Sequence, residues 1–176
     1  MNTPDTRTHL DYAAGERNPS AIYDEGQRAR EVIERARRQV AALLGANPHE
    51  IFFTSCGTES NNWALRGLLA GHKRKGSHLV VSAIEHPSIS LTARRLELDG
   101  LARVDTLPVD GAGRVSVSSL KAAIRPDTVL VSIMLANGEV GTVQPVRELA
   151  AVAHEHGALF HTDAVAAAGH WPIDVA

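Results

Sequence analysis

What most limits the shapes open to this chain is its alternation of short apolar runs with helical segments. The clearest run, "TVLVSIML" from Thr128 to Leu135, is continuous, apolar and β-branched, the pattern of a strand buried on both faces. "HLVVSA", His78 to Ala83, and "ALFHTD", Ala158 to Asp163, read the same way. "EIFFT", Glu50 to Thr54, and "ARVDTLPV", Ala102 to Val109, are further strand candidates. Helical patterns lie between them. The first spans Ile22 to Leu44, with Ile33, Ala36, Val40, Leu43 and Leu44 in period and Gly45 as a stop. Others run from Thr58 to His72, Pro87 to Asp99, Val117 to Ile124 and Pro145 to His156. Strands that alternate with helices predict an α/β domain with a mainly parallel sheet and helices on both faces. Ligands of such sheets sit beyond the carboxyl ends of the strands. The residues that follow each run therefore carry the functional argument.

Bulk properties narrow the classes. A chain of 176 residues is one domain or one large piece of a domain. Aromatics are only 4%, so the core is aliphatic and alanine-rich. A formal net charge of −2 points to neither a nucleic-acid nor a membrane partner. The basic cluster "HKRKG", His72 to Gly76, reads as the solvated end of a helix. Cys56 is the sole cysteine, which rules out an internal disulfide and fits a reducing compartment. The opening "MNTPDTRTHL" lacks a signal-peptide core, and no apolar run has bilayer length, so the cytoplasm is the default location.

Four stretches stand at the ends of strand candidates. "SCGTE", Ser55 to Glu59, begins a helix whose first N–H groups lack helical partners. Gly57 admits a close ligand and Thr58 adds a hydroxyl, which together make a phosphate cradle without a P-loop lysine. The bland alternative is a capping turn with Thr58 as the cap. His86, in "EHPS", is either a packing residue or a flat ring for stacking and proton transfer. Asn137, in "ANGEVG", is either ordinary turn chemistry or an amide on a site loop. Asp163 caps the "AVAAAG" segment or pairs with a protonated heterocycle nitrogen. No metal site is expected, because His154 and His156 point to different helix faces. A phosphate cradle, a stacking ring, an amide and an acid describe one ligand, pyridoxal 5′-phosphate, in which a carboxylate beside the pyridine nitrogen keeps it protonated.

On the stretches "LDYAA", "NPSAIYDEGQRAR", "IFFTSCGTESNNWAL", "SAIEHPS", "LPVDGAGRV", "AAIRPDTVLVSIMLANGEVGTVQP" and "AHEHGALFHTDAVAAAG", the chain resembles the class V aminotransferase-like family, and within it the cysteine desulfurases. The resemblance implies a PLP-dependent transferase-like large domain. It makes Gly57 and Thr58 the phosphate-binding step, His86 the ring-stacking histidine, Asn137 the residue near the phenolic oxygen and Asp163 the partner of the pyridine nitrogen. It further implies removal of sulfur from L-cysteine, giving alanine and a persulfide for iron–sulfur or sulfur-carrier biosynthesis. The implied partners are L-cysteine, a second copy or a complementary C-terminal polypeptide, and a scaffold or carrier protein.

Departures from the family pattern sharpen these expectations. Where the family has a glutamine, three residues after the aspartate, this chain has Ala166. Only Gly15 to Arg17 joins the "AA" and "NPS" stretches, so residues 1–19 form a shortened N-terminal segment and residues 20–176 the start of the cofactor domain. The family's anchoring lysine, its catalytic cysteine and its C-terminal domain fall beyond Ala176. Lys73, Lys75 and Lys121 lie in a helix-end cluster and a short helix, and Cys56 reads as a packing residue rather than the sulfur carrier. The expectation is a fold that is incomplete and a chain inactive as a desulfurase by itself. Two alternatives stand beside it: another enzyme of the fold, such as a selenocysteine lyase, and a degenerate or split non-catalytic subunit.

Overall fold

A computed structural model describes residues 18–175. The "LDYAA" stretch and most of the shortened segment lie outside them. The described chain divides into two compact units.

The smaller unit takes residues 18–53 and 172–175. Its main element is helix α1, Asp24–Leu44. Asp24 and Glu25 sit in its first turn, where carboxylates meet the positive end of the helix dipole. Gly45 ends it at φ 69°, a left-handed backbone that favours glycine, and the N–H groups of Gly45 and Ala46 both return to the Ala41 carbonyl. A 3₁₀ turn, Pro48–Glu50, follows, with Asn47 and Glu50 capping each other reciprocally.

The strand expected at Glu50 to Thr54 does not form. The Ile51 N–H is spent on the Pro48 carbonyl, and the Ile51 carbonyl accepts from the Arg37 guanidinium. Phe52 and Phe53 stay exposed, with the Arg37 guanidinium 5.1 Å from the Phe53 ring centre. An apolar run becomes a strand only where a neighbouring edge takes its N–H and C=O groups. None of the described strands pairs with this one.

The larger unit, Thr54–Trp171, holds helix α2 (Gly57–Gly71), strand β1 (His78–Ser82), α3 (Pro87–Leu98), β2 (Arg103–Leu107), α4 (Val117–Ala123), β3 (Thr128–Ser132), α5 (Val146–Glu155) and β4 (Leu159–His161). The strands form one parallel sheet in the order β2-β1-β3-β4. The central strands β1 and β3 are buried throughout, as their apolar runs require, while β2 carries Arg103 and Asp105 at the sheet edge.

Alternation along the strands sorts the core into two layers. Leu79, Val81 and Leu130 pack with Leu65 and Leu69 of α2 and with Ile89, Ala93 and Leu96 of α3. Val80, Leu107 and Val131 pack on the opposite face with Leu120 of α4 and with Leu149, Val152 and Ala153 of α5. Each fully buried leucine or valine contributes about 1.5–3 kcal/mol. A register shift at the start of β1 and β3 breaks the alternation once, and Val129 and Leu130 join the same layer.

Two surface expectations are refined. Lys75 is not merely solvated: its ammonium binds the carbonyls of His156 and Gly157 just past the end of α5, where a cation meets the negative end of a helix. The loop after β3 also closes more tightly than a simple connection. Ala136 and Val143 form an antiparallel bridge, and the Asn137 N–H donates to the Thr142 carbonyl.

Candidate functional site

From β1 the chain crosses to β2 on one side and then returns to β3 on the other. The order therefore reverses between β1 and β3, and a crevice opens at their carboxyl ends. A cavity of about 410 Å³ lies there. Its walls come from the start of α2, the segments that follow β1 and β3, and the turn that follows β4. Gly57, Thr58, His86, Asn137 and Asp163 all line it, so the residues singled out in the sequence meet at one place.

The start of α2 is an open donor set. Cys56 is the N-cap residue and its side chain makes no capping bond; Thr58 does not cap the helix either. The Glu59 carboxylate reaches back to the Ser55 N–H at 2.6 Å. The Cys56 thiol is held below its usual pKa by the Glu59 N–H first, then by the Ser55 hydroxyl and more weakly by the Thr58 N–H, while burial opposes. Among the described residues, no protein oxygen accepts from Gly57, Thr58 or Glu59 N–H, so a ligand anion would compete for these amides only with the Cys56 thiol, and the Thr58 hydroxyl adds a further donor. A Cβ on Gly57 would come within 2.8 Å of the Val165 side chain, so glycine keeps this wall of the cavity slim.

At the end of β1, Glu85 is buried. Its Oε1 accepts from the Ser82 hydroxyl and from the Met134 N–H at 2.9 Å, which ties the ends of β1 and β3 together. Its Oε2 is buried without a partner among the described residues. Burial pushes the Glu85 carboxyl up to about 7; the two hydrogen bonds oppose the rise and the nearby Asp163 charge adds to it. His86 is the N-cap of α3. Its Nδ1 accepts from the Ser88 N–H at 3.2 Å and lies 2.7 Å from the Ser88 hydroxyl.

At the end of β3, Asn137 commits both ends of its amide to the backbone around it. Nδ2 donates to the Ile84 carbonyl at 3.0 Å, and Oδ1 accepts from the N–H groups of Glu139 and Val140. The side chain thus shapes the cavity wall and fastens it to the end of β1. Past β4, Asp163 is buried at 7% exposure and accepts from Val165 N–H at 3.0 Å and from Asn61 Nδ2 at 2.7 Å. Oδ1 thus caps the turn that follows β4, while Oδ2 is held by Asn61.

Glu85 stands with His86 at the end of its strand run, where the sequence places functional weight, whereas the polar lining residues Asn61 and Ser88 escape a reading of the sequence. A signal for Asn61 exists. It shares a buried stripe of α2 with Leu65 and Leu69, four residues apart, and an amide on such a stripe requires a partner. Ala166 lines the cavity and offers no polar atom, and none of Lys73, Lys75 or Lys121 lines it. The walls include Glu85, Glu139 and Asp163 but no lysine or arginine among the described residues.

A family model described as "Aminotransferase class-V" matches residues 6–176. A protein of Methanosarcina thermophila described as "Cysteine desulfurase IscS" is 49% identical over 158 residues, covering 90% of this chain and 39% of that protein. A protein of Clostridium botulinum (strain Kyoto / Type A2) with the same description is 46% identical over 158 residues, covering 90% and 40%. The solved structure described as "SspA in complex with cysteine" superposes with a TM-score of 0.86 at 41% identity, covering 90% of this chain and 45% of that one. The chain thus spans less than half the length of these relatives.

Proposed function

The chain belongs to the class V aminotransferase family, and from that premise we propose that it forms the cofactor-cradling part of a pyridoxal phosphate-dependent cysteine desulfurase. The observation that carries this reading is the convergence of Gly57, Thr58, His86, Asn137 and Asp163 on one cavity of about 410 Å³. That volume lies within the ~300–1,000 Å³ typical of small-molecule sites.

The residues present fit the cofactor. The amides at the start of α2 and the Thr58 hydroxyl would hold its phosphate, which has no lysine or arginine to meet in these walls. His86 would cover one face of the ring, and Asp163 would hold the proton on the pyridine nitrogen. Asn137 would keep the wall between β1 and β3 in place. When bound, the cofactor supplies an electron sink for bonds broken at the α-carbon of an amino acid. The description of relatives as cysteine desulfurases supports L-cysteine as the substrate, and the proposal extends to transfer of its sulfur as a persulfide toward iron–sulfur or carrier proteins.

The covalent anchor and the sulfur-carrying cysteine do not come from these walls. Lys75 is committed to the carbonyls past α5, and Lys73 and Lys121 lie away from the cavity. Cys56 sits against the amides meant for the phosphate. Those two groups would reach the site on a continuation of the chain or a separate polypeptide, and these 176 residues alone would not desulfurate cysteine.

Titration with pyridoxal phosphate, followed by absorbance, tests the reading. Saturable binding at one site per chain, competed by inorganic phosphate, is expected. Borohydride treatment at stoichiometric cofactor should leave the three lysines unmodified. Absence of saturable binding, or a single lysine of this chain modified in full, would overturn the reading.

A further inference from the structure

Behind the cavity wall runs a chain of hydrogen bonds from Asp163 through Asn61 and Ser88 to His86. Asn61 Nδ2 lies 2.7 Å from Asp163 Oδ2 and 2.8 Å from Ser88 Oγ. Ser88 Oγ lies 2.7 Å from His86 Nδ1. Asn61 is 4% exposed and Ser88 is 7% exposed, so water does not compete for the two Asn61 bonds, while the bond to the exposed His86 ring is partly buried.

The direction of each bond follows from what each group can do. A carboxylate oxygen accepts, so the amide nitrogen of Asn61 faces Asp163 and gives it one hydrogen. The second hydrogen on that nitrogen goes to Ser88 Oγ. The Ser88 hydroxyl, already accepting, then has its own proton free for His86 Nδ1. The Ser88 backbone N–H, which can only donate, reaches the same Nδ1 at 3.2 Å. Two donors therefore face Nδ1. Its lone pair is occupied, and the proton of the neutral ring sits on Nε2, which has no protein partner among the described residues.

The geometry points to Asn61 and Ser88 as positioning residues that make His86 a hydrogen-bond donor, through Nε2, toward the occupant of the cavity. While the relay holds, neither ring nitrogen offers a free lone pair. His86 then stacks on the occupant and donates to an oxygen on it, and does not accept a proton from it. Asn61 also couples the two ends of the site, because the amide that orients Asp163 is the one that sets the ring. The inference extends the proposed function by assigning a role to His86, but its test needs no cofactor. A failure here is thus distinguishable from a failure of cofactor binding.

The experiment is nitrogen-15 NMR of the imidazole rings in the uniformly labelled chain, with the His86→Gln variant identifying the His86 signals. In the parent chain the His86 ring should show Nε2 protonated and Nδ1 bare. Asn61→Leu keeps the side-chain shape and removes both donations. Ser88→Ala removes the hydroxyl and leaves only the longer N–H contact. In both, the two ring-nitrogen signals should move toward each other as the second tautomer becomes populated, and Ser88→Thr should restore the parent pattern. A purely structural role would lower the melting temperature and leave the ring signals in place. A parent ring protonated at Nδ1 would overturn the inference, as would unchanged ring signals in a folded Ser88→Ala chain. The second result decides the matter even where Asn61→Leu fails to fold.

Discussion

The two ends of the parallel sheet both bury polar side chains and treat them in opposite ways. At the amino end, His78 opens β1 with no exposure at all. Its Nδ1 bonds to Thr128 Oγ1 at 2.8 Å on the neighbouring strand. Its Nε2, though unbonded, lies 3.3 Å from Asp105 Oδ2, which also takes Arg125 at 2.8 Å. Arg103 pairs with Asp127 alongside. Each carboxylate there faces a cation. At the carboxyl end, Glu85 and Asp163 share a cavity with no lysine or arginine in its described walls, and neither Glu85 Oε2 nor His86 Nε2 has a partner among the described residues. Charge balance closes the first end into scaffold. The second end keeps unspent capacity in the buried Glu85 Oε2, and a buried group in that condition persists where a ligand completes it, while His86 is exposed.

The sharpest way to break that comparison is to remove one aspartate from each end. Asp163→Ala removes the carboxylate proposed to meet the pyridinium. A charge-assisted hydrogen bond contributes about 2 kcal/mol, so cofactor affinity should fall roughly 30-fold. Asp105→Ala removes a half-exposed member of the amino-end cluster and should leave that affinity within about twofold, since exposed ion pairs contribute about 0–1 kcal/mol. Absorbance titrations of both variants give the answer. Equal losses would mean that the two ends do not divide scaffold from site.

A second test uses pH. Glu85 titrates near 7 in the folded chain, against 4.5 when unfolded. Between those values the folded state holds a proton that the unfolded state has released, so stability falls as pH rises from about 4.5 to 7 and then levels off. At about 1.4 kcal/mol per pH unit, the full effect is about 3 kcal/mol. Glu85→Gln cannot ionise and keeps an acceptor for Met134. It should be more stable than the parent by up to about 3 kcal/mol at pH 8 and indistinguishable near pH 4. Denaturant unfolding at the two pH values measures this, and an equal difference at both would show that Glu85 is not a proton-holding group.

Much of the fold is legible in the order of residues alone. "TVLVSIML" and "HLVVSA" announce the two central strands because burial on both faces requires unbroken apolar runs. "EIFFT" misleads for the same reason: apolar content marks a strand-like run but does not supply the neighbouring edge that makes it a strand. His86, Asn137 and Asp163 can be found because each follows a run that ends at the ligand side of the sheet, and Gly57 because it opens a helix after an apolar run, although that run forms no strand. Asn61 and Ser88 cannot be joined to them, since their meeting depends on α2 and α3 packing side by side, 27 residues apart in sequence. Glu85 is legible with His86 as a residue that follows a strand run, but its burial, which raises its pKa, is not. Asn137 is legible as a site-loop residue, but not the use of its Nδ2, which needs the close approach of Ile84 from the segment after β1.

The smallest expected effect sharpens the comparison from the scaffold side. Burial holds His78 below its ordinary pKa; Asp105 opposes that, Arg125 adds to it and Asp127 opposes it more weakly. Below its usual value near 6.5 the unfolded chain binds a proton that the folded chain refuses, so stability falls as pH drops, the reverse of the Glu85 effect. His78→Asn keeps a group able to bond to Thr128 and cannot titrate. Its stability should fall less steeply than the parent's between pH 7 and pH 5. The change is smaller than for Glu85 because Asp105 cancels part of the burial effect. A residual slope should remain, because His161, half-buried near Asp163, is also held below its ordinary pKa by desolvation, against which the Asp163 charge acts. A histidine variant with an unchanged acid-side slope would assign the whole effect to His161, and acid sensitivity would then belong to the ligand end of the sheet alone.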